Sequence, residues 1–89
     1  MGHTIRGSSL VEKIYLKVED RWIEWYASSF LGTKRRFGYD QIDCILMGLD
    51  HKLSFQVGSE VFTIRTNPKK QSHQDAIKTL VEKVKATRR

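Results

Sequence analysis

Eighty-nine residues fit one domain with a small core, since a chain of this length buries only about 60–65% of the surface its unfolded form exposes. A hydrophobic share of 39%, nine aromatics included, excludes a disordered chain, and the single cysteine, Cys44, excludes an internal disulfide and points to a reducing compartment. The net charge of +6 is uneven: residues 69–89 hold seven Lys and Arg against two acids (7 − 2 = +5), while residues 1–68 hold nine against eight (9 − 8 = +1).

The opening MGHTIRGSSLVEK lacks the apolar core of a signal peptide, and no run reaches membrane-spanning length. Residues 1–9 read as a flexible leader and residues 10–89 as a single domain with a basic C-terminal end. The expected location is the cytoplasm, with the membrane surface as an extension of it.

From Leu10 to Thr66 the hydrophobic period is two, the signature of half-buried strands. In KIYLKVED, Ile14, Leu16 and Val18 form an aliphatic face, with Lys13, Tyr15 and Lys17 opposite. In RWIEWYAS, Ile23, Trp25 and Ala27 point inward and Trp22, Glu24 and Tyr26 outward. A two-residue turn at Glu19 and Asp20 would set Leu16 opposite Ile23 and Ile14 opposite Trp25. The same register puts Lys17 across from Trp22 and Lys13 across from Tyr26.

TKRRFGY reads as the next strand, with Phe37 and Tyr39 inward and Lys34 and Arg36 outward. The apolar run CILMGL predicts a further strand around Ile42 to Leu49, buried on more than one side, with a bulge at Gly48. HKLSFQV and VFTIRT, joined by the turn GSE, form the clearest hairpin in the chain. Pro68 then breaks the sheet, and Ser72 with Asp75 resembles a capping box for a helix from about residue 73 to 86. Ile77, Leu80, Val81 and Val84 make its apolar stripe, and Lys85, Arg88 and Arg89 lie at or beyond its end, where folding should not need them.

This order of elements predicts a mainly β fold: a strongly bent antiparallel sheet or partial barrel of about six to seven strands, capped by one C-terminal α-helix. It resembles the pleckstrin-homology-like (PH-like) superfamily, in particular the short bacterial PH domains. The resemblance covers about residues 12–86 and is carried by KIYLKVEDRWIEWYAS, KRRFGYDQIDCI, the KLSFQVGSEVFTIRT hairpin and the AIKTLVEKV helix. FGYDQIDCI is similar to that family's aspartate-x-isoleucine passage between its third and fourth strands. Lipid-binding eukaryotic members carry a basic first hairpin, whereas this chain has Glu19 and Asp20 there. The resemblance implies a binding module and names no ligand, because the family includes lipid binders and peptide binders.

Two groups of residues stand out. Tyr15, Trp22 and Tyr26 share the outward face of the first hairpin and form a candidate protein interface, for a protein partner or for copies of the chain itself. Lys34, Arg36, Lys69 and Lys70 form a candidate anion or lipid contact, the alternative being peripheral binding to acidic membrane lipid. Arg35 points to the opposite face from its neighbours, so the three adjacent cations cannot converge from the strand alone. Nucleic acid ranks below both, since the charge excess sits in the helix and tail. His3, His51 and His73 have no metal-ligand spacing, Cys44 reads as a buried core thiol, and Asp40 and Asp43 flank a turn. The sequence therefore predicts no enzyme, no cofactor, no metal and no small-molecule substrate.

Overall fold

Among the described residues, seven strands and a helix follow one another as β1 (His3–Gly7), β2 (Ile14–Val18), β3 (Trp22–Ala27), β4 (Thr33–Gly38), a 3-10 turn (Tyr39–Gln41), β5 (Cys44–Met47), β6 (Lys52–Val57), β7 (Glu60–Arg65) and α1 (Gln71–Ala86). The structure, a computed structural model, describes residues 2–7, 13–28 and 33–88. The strands form two antiparallel sheets, β1-β2-β3-β4 and β5-β6-β7, rather than one continuous bent sheet. The 3-10 turn carries the chain from one to the other, and β1 approaches β7 without pairing with it.

The core lies between the sheets. Leu16, Val18 and Ile23 from the first sheet meet Leu53, Phe55, Phe62 and Ile64 from the second. Phe37 packs between Phe55 and Phe62, with ring centroids 6.0 and 5.0 Å away, and Trp25 meets Phe62 edge-on at 5.0 Å. Such aromatic pairs contribute about 0.5–1.5 kcal/mol beyond their area burial. Phe37, Tyr39 and Ile42 are all buried, so the passage from β4 to β5 anchors the core. The Tyr39 hydroxyl donates to the Glu19 carbonyl, tying that passage to the β2–β3 turn.

Helix α1 covers the open end and lies chiefly against β1. Its buried residues are His73, Ala76, Leu80 and Val84, so Ile77 and Val81 of the expected stripe fall on its flank and are only half-buried. The helix starts at Gln71, with Lys70 as N-cap and no side-chain cap bond; Ser72 lies inside the first turn and does not cap it. The turn before it is held by Asn67, whose side-chain oxygen accepts from the Lys69 amide at 2.9 Å. His73 folds back so that its Nδ1 accepts from the Asn67 amide at 2.9 Å.

Several expectations change. His3–Gly7, expected within a flexible leader, is a strand paired antiparallel with β2, and Ile5 is fully buried. The first hairpin is shifted by two residues: Leu16 faces Trp25 and Tyr15 faces Tyr26, because Glu19 and Trp22 close the turn around Asp20 and Arg21. A shift of two keeps every side chain on its expected face. β5 is shorter than expected and open to solvent: Leu46 is 66% exposed, and Leu49, just beyond the strand, is fully exposed. Cys44 is likewise exposed rather than buried. The C-terminal end also takes part in the fold, since the Arg88 guanidinium donates to the Ile42 carbonyl.

Gly58 and His51 have positive φ, 62° and 64°. Gly58 is the residue type that the tight β6–β7 turn requires, and its amide donates to Asp43 Oδ2 at 2.7 Å. Asp43 thus holds a turn.

Candidate interaction surfaces

Two candidate surfaces stand out, and they lie on different sheets. The first is the outward face of β1–β4. Cross-strand pairing sets Arg6, Tyr15, Tyr26 and Lys34 in one row and Thr4, Lys17, Glu24 and Arg36 in the next. The aromatic trio and the strand cations, expected as separate sites, therefore share one face.

The three aromatics are half-buried and engaged with neighbours rather than forming a bare apolar patch. Tyr15 and Tyr26 stack at 4.9 Å with an interplanar angle of 17°. The Arg36 guanidinium lies over the Trp22 ring at 4.3 Å, and the Lys17 ammonium over Tyr15 at 5.4 Å. At the centre, Glu24 is only 2% exposed. It accepts from Arg36 Nε at 2.9 Å and from the Tyr15 hydroxyl at 3.1 Å. Burial alone would push the Glu24 carboxyl up, but these two hydrogen bonds and the charges of Lys34 and Arg36 outweigh it and hold the group below the usual carboxylate range. Burial and the bond to Glu24 push the Tyr15 hydroxyl up.

Lys69 and Lys70 do not join this group. They sit in the β7–α1 connection, where Lys70 lines a cleft with Arg6, Arg65 and His73. That places them towards the β1 edge, while Lys34 and Arg36 lie on β4, three strand spacings or about 14 Å across the sheet. Arg35 faces inward and pairs with Glu60, as alternation requires.

The second surface was not expected. β5 ends the three-stranded sheet, and beside it a groove of about 310 Å³ runs between Cys44, Ile45 and Met47 on one side and Ile77, Val81, Val84, Lys85 and Arg88 of the C-terminal region on the other. Every large hydrophobic exposed among the described residues belongs to this sheet or its β5–β6 turn: Leu46, Met47, Leu49 and Val61. The signal in the sequence is CILMGL itself, an uninterrupted apolar run of the kind that normally means burial on both faces but here lies at a sheet edge.

Among the described residues no group of three His, Cys, Asp or Glu is arranged to hold a metal, and no helix is long and apolar enough to cross a membrane. Compared with protein-family models, curated proteins and solved structures, the chain matches none.

Proposed function

We propose that this protein is a noncatalytic, PH-like interaction module that contacts a protein partner, or a second copy of itself, by taking an extended strand against β5. The family reading is supported by the order of elements, antiparallel strands in two packed sheets followed by a single C-terminal helix over the core. The interaction reading rests on one contrast. Of the four strands that end the two sheets, β1 carries Arg6, β4 carries Lys34 to Arg36, and β7 carries Glu60 and Arg65, whereas β5 is Cys-Ile-Leu-Met with no charge.

Charged side chains are the usual protection of a sheet edge against pairing. β5 lacks that protection and has an apolar groove beside it. Strand addition there would supply backbone hydrogen bonds along β5, and alternate side chains of the incoming segment would enter the groove. The proposal places this contact at β5, on the opposite sheet from Tyr15, Trp22 and Tyr26, where the sequence alone put the candidate interface.

The test is solution mass by light scattering, combined with selection from a displayed peptide library. The proposal expects a wild type that either self-associates or selects apolar extended peptides, with both behaviours lost in Met47→Lys, on the groove wall, while circular dichroism is unchanged. A selected peptide should also weaken when its backbone amides are N-methylated at alternate positions. A monomer that selects nothing, or whose peptides ignore Met47→Lys, contradicts it.

A further inference from the structure

We infer that the outward face of β1–β4 binds single-stranded nucleic acid, a function separate from strand addition at β5. Along the strands this face presents Arg6, Lys17, Lys34 and Arg36 against one carboxylate, Glu24. That carboxylate is ion-paired with Arg36 at 2.9 Å, so these two charges largely cancel and Arg6, Lys17 and Lys34 carry the net positive potential of the face. Residues 1–68 are nearly neutral as a whole, yet four of their eight acids, Asp40, Asp43, Asp50 and Glu60, lie on the passage to the second sheet or within that sheet and its turns, away from this face.

The cations alternate with rings, which is what distinguishes the face from a solvated basic patch. Burying Glu24 carries a desolvation cost, and its return is orientation: the carboxylate fixes both the Tyr15 hydroxyl and the Arg36 guanidinium. Arg36 is thereby set over Trp22, a flat cationic-aromatic pair, while the Tyr15–Tyr26 stack borders a cleft of about 370 Å³ that Arg6 and Lys13 also line. A ligand that fits must bring anions at intervals and planar rings between them. Single-stranded nucleic acid does both, with phosphates on the Lys and Arg side chains and bases against Tyr and Trp.

Other partners fit less well. A membrane contact calls for apolar side chains that can enter the interface, and the exposed large hydrophobics among the described residues all belong to the other sheet. Duplex DNA is read by an element that enters a groove, which the broad face of a four-stranded sheet cannot do.

The experiment uses the full chain with a fluorescein-labelled fifteen-nucleotide oligo-dT and an RNA of the same length, read by anisotropy, alongside vesicles of mixed zwitterionic and anionic lipid. Binding should show a log–log salt slope of about −2 to −3, from roughly 0.7 per neutralised phosphate. The double variant Lys17→Ala/Lys34→Ala should weaken binding at least tenfold, as should Trp22→Ala. Replacing Lys78 and Lys83 on α1 by Ala should change it less than twofold. Oligonucleotide, but not heparin, should quench Trp fluorescence. The inference is overturned if neither oligonucleotide binds, if the loss follows the α1 lysines instead, if Trp22→Ala is silent, or if vesicles bind more tightly and compete the oligonucleotide away.

Discussion

Arg35 reaches from the inner side of β4 to Glu60 at the start of β7, with two hydrogen bonds of 3.1 and 3.0 Å joining the guanidinium to the carboxylate. The guanidinium also lies over Phe37 and Phe62, at 5.4 and 5.7 Å. The pair thus latches the two sheets together over the aromatic cluster. Both partners are substantially exposed, so solvent screens the charge attraction, and the bidentate geometry and ring contact carry what stability the latch gives. Glu60→Gln should lower the melting temperature slightly, more at low salt than at high. The exchange Arg35→Glu with Glu60→Arg should recover part of the loss seen in Arg35→Glu alone; no recovery would mean the charges do not pair in solution.

Helix docking gives a sharper contrast. Leu80 is fully buried, and Leu80→Ala should cost about 2–5 kcal/mol in chemical denaturation. Ile77, three residues earlier and on the groove wall, is half-buried, so Ile77→Ala should cost clearly less. Equal losses would place Ile77 in the core and close the groove.

The C-terminal end should matter to stability. The Arg88 guanidinium donates to the Ile42 carbonyl, and such a bond contributes about 0.5–1.5 kcal/mol, more when the donor is charged. Arg88→Ala should lower the denaturation midpoint, and truncation after Ala86 should lower it by as much or more. An unchanged midpoint in both would show that the contact does not form in solution.

His73 makes folding acid-sensitive. Burial first, and then the charge of Lys70, hold its pKa below the ordinary value, and its Nδ1 must be unprotonated to accept from the Asn67 amide. The unfolded chain therefore takes up the proton first. The contribution of His73 to stability should be complete above the unfolded pKa of about 6.5 and be lost as pH falls below it. Denaturation at a series of pH values should show this decline, and His73→Gln should flatten it. A variant as acid-sensitive as the wild type would remove His73 as the cause.

Tyr39 sets the opposite limit. Burial, followed by the charges of Glu19 and Asp20, pushes its hydroxyl up to about 12. Ionisation is thus favoured in the unfolded chain, and stability should be lost as pH rises from about 10 towards the folded value. A spectrophotometric titration should show a tyrosine ionising near 12 that is missing in Tyr39→Phe.

Much of this architecture can be read from alternation alone. Leu16, Ile23, Phe55 and Phe62 announce their strands because aliphatic and aromatic residues recur every second position, and Leu80 with Val84 marks the helix face. β1 stays hidden because His-Thr-Ile-Arg-Gly offers one aliphatic residue and no alternation to detect; Ile5 is buried partly by the helix, which lies far along the chain. The functional surfaces are harder for a related reason. Whether Tyr15, Lys34 and Arg36 meet depends on the order of strands across a sheet, and whether Leu46 is core or surface depends on which strand ends up at an edge. Neither is a local property of the sequence.

The most direct test of the proposed interaction surface is amide hydrogen exchange across the whole chain. It should be followed as concentration rises, or on saturation with a selected peptide. Strand addition predicts new protection at Cys44–Met47, together with reduced exchange around Ile77 and Val81 where the groove is filled. Protection confined to β1–β4, with β5 exchanging as fast as before, would contradict it.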